Sequence, residues 1–507
     1  MWSVICLLLF SLLNFSSVQW FFSIIVGFFF YFIQFNYVFY SGNPILNNKF
    51  FFFDSISFYF IFLSFILFIF VYFLELVNFS YLFNFLLSFL FFSLVLLFLA
   101  KTWLYFLIFF EASFIFMFLI IMFWGNNPER IEALNYFIIY SLVGSVPIII
   151  VFSHFVFYGT VHFYGFDCNH TLLAYASNLI NVDFYQRDVY IYQNIPGTHG
   201  NVRVRFLCES GLCEGLPIVQ TNAFFLGYNA YSLKEYFFVI SWLIIFLIKF
   251  PIFGLHLWLP KAHVESPVFG SMILAGILIK LSVYGIVRFG FSVFHGFYFK
   301  NFEIPIFLNY YACFGLVIVN FICSIQWDLK SFVAYSSVVH MSLIIFSILS
   351  NSWVSLIGAL ILSFSHGICS SSLFMMVNNF YSISLSRSMY LNRGYLYIFP
   401  YLCMFWFLLV SSNCSIPLSL NFFSELFLIF SGVLLNLGSL FVFVFNIFFC
   451  GLYCIFLYLY VSHGKSNVGL NYNCNFVYTY IYLMLCLFHF FVIYFYMTVV
   501  NTVSLVL

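Results

Sequence analysis

The chain has 507 residues, a net charge of +1, 65% hydrophobic residues and only 6% charged ones. A soluble domain carries about 25% charged residues, so this balance excludes a soluble globular protein, and the near-neutral charge gives no footing for a nucleic-acid partner. Runs such as "FLLSFLFFSLVLLFLA" over 85–100 lack the period-two alternation of a transmembrane barrel, which leaves a polytopic helical membrane protein.

A spanning helix needs about 20 consecutive apolar residues. Blocks of that kind predict about fourteen spans, at 1–14, 18–40, 54–77, 79–99, 102–124, 133–157, 236–257, 267–291, 305–325, 330–350, 353–380, 397–432, 436–462 and 476–500. The first block lacks a basic leader and a small-residue cleavage site, so it reads as a retained span rather than a signal peptide. The block 397–432 is too long for one straight helix and contains Pro417. The 83 Phe and 37 Tyr exceed anything a bilayer demands and read as codon bias in an AT-rich, organelle-type genome. None of the thirteen cysteines forms a CxxC pair, so an iron–sulfur or structural zinc site is not indicated. Cys450 and Cys454 share a helix face and read as small apolar residues.

Residues 159–235 differ from the rest in their mixed polar composition. This stretch reads as an extramembrane insertion that packs on a neighbouring subunit. Within it, "VYIYQNIPGTHGNVRVRFL" alternates on both sides of a turn and predicts a hairpin. Cys168, Cys208 and Cys213 there are candidates either for a disulfide or for free thiols.

Most charges fall at block ends, but Glu111, Lys249, Lys280 and Glu425 lie inside apolar blocks, together with His340 and His366. Each ionised group at the bilayer centre costs about 2.5–3.5 kcal/mol on insertion scales. A lone acid–base pair is explained equally well as a helix brace. A set spread over separate blocks reads better as a proton relay, because burial disfavours the charged form and a nearby partner restores it. Pro251 follows Lys249 closely and Pro417 shares a block with Glu425, so both helices are predicted to break near a charge. Pro251 alone would be an ordinary kink. With both, the blocks from 79–99 to 267–291 and from 305–325 to 436–462 form two sets of five, each broken in its fourth helix. The predicted fold is an all-α polytopic membrane protein of about fourteen spans with two inverted five-helix repeats. His256, His263 and Glu265 fit no standard zinc spacing and read as loop residues. His154, His295, His463 and His489 read as interfacial or packing residues.

The stretch "KFPIFGLHLWLPKAHVESPVFGSMILAGILIKLSVYGIVRF", from Lys249 to Phe289, resembles the signature of the antiporter-like family, chains 2, 4 and 5 of mitochondrial NADH–ubiquinone oxidoreductase, respiratory complex I. "FFEASFIFMFLIIMFWGNNPERIEALNYFIIYSLVGSVPI", "DLKSFVAYSSVVHMSLI", "SHGICSSSLF" and "IPLSLNFFSELFLI" resemble, in order and spacing, that family's fifth and sixth, tenth, eleventh and twelfth helices. Ser266, Ser282, Val283 and Ser424 depart from the family's usual residues without removing a titratable group. The insertion resembles an elaboration of divergent, ciliate-type mitochondria, and the family topology implies that it faces the intermembrane space.

The resemblance implies N-terminal spans over 1–100, an antiporter-like core over 101–432 interrupted at 159–235, and C-terminal spans over 433–507. It implies that Glu111 and Lys249 form a switch pair, that Lys280 and Lys330 are relay lysines, that His340 and His366 lie on a hydrated axis, and that Glu425 connects to a second half-channel. It implies a subunit of a proton-translocating NADH:ubiquinone reductase that does no redox chemistry itself. NADH, FMN, iron–sulfur clusters and ubiquinone then belong to other subunits, and this chain binds no cofactor or metal. Implied partners are other membrane-arm subunits, especially chains 2 and 5, membrane lipids, and accessory subunits at 159–235; the implied location is the mitochondrial inner membrane. Two readings stand beside it: a stand-alone or Mrp-type cation/proton antiporter subunit, and a non-conducting scaffold whose charges brace helices.

Overall fold

The computed structural model describes residues 46–47, 51–74, 81–125, 129–157, 233–294, 304–349, 352–417, 419–435 and 438–465. The expected spans 1–14, 18–40 and 476–500, the hairpin within 159–235, and Cys168, Cys208 and Cys213 lie outside the described residues. A two-residue antiparallel pair, β1 (Leu46–Asn47) with β2 (Phe52–Phe53), precedes the helices. The helices are α1 (Ser55–Leu74), α2 (Tyr81–Leu99), α3 (Trp103–Trp124), α4 (Arg130–Phe157), α5 (Leu233–Lys249), α6 (Trp258–Glu265), α7 (Val268–Ile273) and α8 (Ile279–Phe294). There follow α9 (Ile304–Ile325), α10 (Leu329–Ile348), α11 (Trp353–Ser384), α12 (Tyr395–Ile398), α13 (Pro400–Asn413), α14 (Leu420–Leu435) and α15 (Ser439–Ser462). A π segment, Leu274–Leu278, joins α7 to α8.

Among the described residues, eight helical segments are long and apolar enough to cross a membrane, and α1, α5 and α14 supply shorter apolar stretches. Helix ends carry local caps. Thr102 accepts from the Tyr105 amide at 3.5 Å, Asp328 from the Lys330 amide at 3.0 Å, and Ser352 from the Ser355 amide at 3.1 Å. These side-chain oxygens satisfy donors that the first turn leaves open. Serines inside the helices bond back to a carbonyl three residues earlier, as Ser93 does to Leu90 at 2.8 Å and Ser337 to Ala334 at 2.6 Å. Such self-satisfaction lets a hydroxyl sit in an apolar interior.

Two predicted blocks are not single helices. Over 236–257 the helix stops at Lys249, and the chain turns through Pro251 and Gly254, whose φ is +86°, before α6 begins. Over 397–432 the chain forms α13 and α14, separated by a turn that contains Pro417. Carbonyls released at the first break are recaptured: Trp258 Nε1 donates to the Ile248 carbonyl at 3.0 Å and Tyr311 donates to the Phe253 carbonyl at 2.7 Å.

The α7–π–α8 segment, α10 and α11 form the interior. Helix α11 packs on α10 and α14, and the π segment packs on α11 and α1. Gly367 makes that last crossing close, since a Cβ there would lie 3.0 Å from the Gly276 carbonyl. Large apolar side chains cover the outside of α3, α4, α9 and α15, among them Ile115, Ile139, Phe307 and Phe441. An apolar exterior around a polar-lined interior is the arrangement expected of a chain solvated by lipid.

Candidate functional site

Lys249 is the last residue of α5, where the helix dipole favours a cation. Its ammonium lies 2.8 Å from Glu111 Oε1 on α3. The same nitrogen is 3.9 Å and 3.7 Å from the ring centroids of Phe110 and Phe114, so one turn of α3 supplies both the counter-charge and two cation–π faces. Lys249 is 2% exposed and Glu111 26%; the acid is the member of the pair closer to the surface.

Lys280 is fully buried at the start of α8. Its ammonium donates to the Ala275 carbonyl of the π segment at 2.5 Å and lies 3.0 Å from His366 Nδ1 on α11. The His366 ring is next to that of His340 on α10, with centroids 5.2 Å apart. His340 Nδ1 lies 3.1 Å from Glu425 Oε1 on α14. That approach is close enough for an ion pair but is not aligned as a hydrogen bond. His366 Nε2, both nitrogens of His340 and Glu425 Oε1 are buried without a hydrogen-bond partner in the protein. Buried polar atoms of this kind are normally satisfied, so the concentration of exceptions on one line marks an unusual interior.

The structure therefore brings Lys280, His366, His340 and Glu425 into one succession and Glu111 with Lys249 into a second group. Among the described residues no direct hydrogen bond joins the two. Lys330, at the start of α10, points elsewhere: its ammonium donates to the Ser266 carbonyl at 3.3 Å, just beyond the end of α6. Arg387 lies nearby, 3.8 Å from both Glu265 Oε1 and Asp328 Oδ2, and donates to the Val264 carbonyl at 3.1 Å.

Two features of the structure differ from what the sequence suggests. His263 and Glu265, expected in a loop, lie on α6 with buried side chains. The loop expectation fails because the break after Lys249 restarts as a helix directed into the core. His263 stacks on Phe374, with centroids 4.7 Å apart and ring planes within 7°, and neither ring nitrogen has a hydrogen-bond partner. Its motif, "KAHVES", was visible, but nothing local distinguishes a buried from an exposed histidine there. The second feature is a bidentate pair between Arg288 on α8 and Asp54 at the head of α1; both had read as charges at block ends.

A profile of the NADH:quinone oxidoreductase/Mrp antiporter transmembrane family matches residues 100–184 and 218–450. The chain belongs to this family. Every residue of the two groups above, and Lys330 and His263 with them, falls within the matched segments. Among curated members, NADH-ubiquinone oxidoreductase chain 4 of Locusta migratoria is 34% identical over 352 residues, covering 69% of this chain and 64% of its own length. The protein of the same name from Mytilus edulis is 42% identical over 231 residues, 44% of this chain and 52% of that one. The chain thus spans less than two thirds of the length of these relatives. A chain in the structure of respiratory complex I from Thermus thermophilus with bound NADH has the same fold, with a TM-score of 0.73 over 97% of this chain and 95% of that chain, at 17% identity.

Proposed function

We propose that this chain is a proton-translocating membrane-arm subunit of mitochondrial respiratory complex I; its curated relatives are named NADH-ubiquinone oxidoreductase chain 4. The observation that carries the reading is the succession Lys280, His366, His340, Glu425. Four titratable side chains from four different helices, each close to the next, run in succession through the buried interior. Groups that cost this much to bury face inward and mark proton or ion pathways.

In this reading Glu111 acts as a movable counter-charge. While its carboxylate lies against Lys249, the ammonium is stabilised by Coulomb attraction and by the two phenylalanine faces. When the carboxylate swings away, the ammonium is left in a low-dielectric site and releases its proton to water or to a neighbouring base. Lys280 passes a proton to His366, His366 to His340, and His340 to Glu425. Histidine suits the middle positions because either nitrogen can hold a proton while the other accepts one. Lys330 serves as a further relay lysine on the α6 side.

The same reading gives the chain about fourteen spans, of which two sets of five form inverted repeats. The helix breaks after Lys249 and after Asn413, each in the fourth member of its set, support that repeat. NADH, FMN, iron–sulfur clusters and ubiquinone are assigned to other subunits, with no redox step in this chain. Its neighbours are antiporter-like chains 2 and 5, membrane lipids, and accessory subunits at 159–235, in the mitochondrial inner membrane.

The test is Lys249→Ala in the assembled complex, reconstituted in sealed vesicles. The proton yield per NADH is expected to fall while quinone reduction persists. A wild-type yield would argue for the scaffold reading. An Mrp-type antiporter is distinguished by purification: it would not carry quinone-reducing activity with it.

A further inference from the structure

Lys280, Tyr284 and Arg288 occupy positions i, i+4 and i+8 on α8, so they follow one another along a single helix face, with about 6 Å of rise per step. That face leads from the buried ammonium along the helix towards its C-terminal part. A polar path along it would let protons escape from the relay.

The residues on that face are instead arranged to stop a proton. Arg288 is 1% exposed and grips Asp54 with Nη1–Oδ2 2.6 Å and Nη2–Oδ1 2.5 Å. A guanidinium does not lose its proton in proteins, so it cannot serve as a relay station. Its central carbon lies 5.0 Å from the Tyr284 ring centroid. The Tyr284 hydroxyl donates to the Phe98 carbonyl at 2.9 Å. The hydroxyl proton thus points to the backbone of α2. Around the Tyr284 ring, Phe60 and Phe98 approach edge-on at 5.5 Å and 5.1 Å, and Phe106 stacks at 6.2 Å. All three are buried. Gly285 lets the Phe246 ring close directly on the helix backbone, where a Cβ would overlap it. An aromatic shell of this density leaves water little room.

We propose that the Arg288–Asp54 pair and the aromatic shell around Tyr284 form a proton seal, which directs protons at Lys280 sideways through His366 instead of along α8. The proposal rests on the relay reading and adds a direction to it.

The test uses the complete complex in phospholipid vesicles without NADH or quinone. A pH gradient is imposed, the potential is clamped with potassium and valinomycin, and resting proton flux is recorded. Tyr284→Ser removes the ring and is expected to raise the flux several-fold. Tyr284→Phe keeps the shell and is expected to leave both the resting flux and the proton yield per NADH at wild-type values. Unchanged flux in Tyr284→Ser overturns the seal. So does a loss of pumping in Tyr284→Phe, which would make the hydroxyl a relay group. If Tyr284→Ser does not assemble, Arg288→Gln combined with Asp54→Asn removes the charged end in a balanced way. The same rise in flux is then expected, and its absence overturns the proposal. Lys280→Ala tests the relay separately: a wild-type proton yield there sinks the relay, whereas the resting flux of the Tyr284 variants bears on the seal alone.

Discussion

His366 Nδ1 lies 3.0 Å from the ammonium of Lys280, although the two residues are 86 positions apart in sequence. The contact joins α8 to α11 at a point where both side chains are buried, and it makes the imidazole the first acceptor available to the lysine. His366→Phe keeps an aromatic ring of similar bulk and removes both nitrogens. The expected result is an assembled complex with near-normal quinone reduction and a proton yield per NADH reduced several-fold, read by a pH-sensitive dye in vesicles.

The Glu111–Lys249 pair predicts a graded series. Glu111→Gln leaves a buried ammonium with two aromatic faces but no counter-charge. Stranding one member of a buried pair costs about 3–5 kcal/mol, a cost the lysine avoids by becoming neutral. Glu111→Asp keeps the charge on a shorter arm. Proton yield is therefore expected in the order wild type, Glu111→Asp, Glu111→Gln. Equal yields in the three proteins would remove the switch role from this pair.

His263 supplies a third test, because packing and proton chemistry can be separated there. His263→Phe preserves the stack on Phe374 and loses two nitrogens that have no hydrogen-bond partner. Stability, measured by thermal inactivation of the complex, is expected to stay the same or rise. Pumping is expected to stay at the wild-type level, since neither nitrogen is hydrogen-bonded to a relay group; a several-fold fall would place the imidazole on the proton path.

Gly367 tests the helix crossing that holds the Lys280 site together. Gly367→Val puts a branched side chain against the Gly276 carbonyl and Leu63. Overpacking of a buried contact costs about 1–3 kcal/mol. A lower inactivation temperature is expected, together with lower pumping, since separating α11 from the π segment lengthens the Lys280–His366 contact.

The broken helix at Lys249 was legible because proline and the charge stand two residues apart, and the loss of a backbone donor is a local event. The restart at α6 was not legible. "LHLWLPKAHVE" has the polarity of a loop, and only the recapture of the Ile248 carbonyl by Trp258 explains why a buried helix forms there. The Arg288–Asp54 pair is not legible for a similar reason: hydropathy sees each at the edge of an apolar block and cannot see that they meet.

By itself the sequence determined that the chain is helical and membrane-embedded, where its apolar blocks lie, and which ionisable residues sit inside them. These follow from local composition, because bilayer thickness and backbone satisfaction act on each segment separately. Only the tertiary structure decided that Lys280 faces His366, that His340 faces Glu425, that Lys330 turns to Ser266 instead, and that Arg288 binds Asp54. Those pairings depend on how each helix is rotated and where it crosses its neighbours. Rotation and crossing are set by side-chain packing between residues far apart in the chain, which no local pattern encodes.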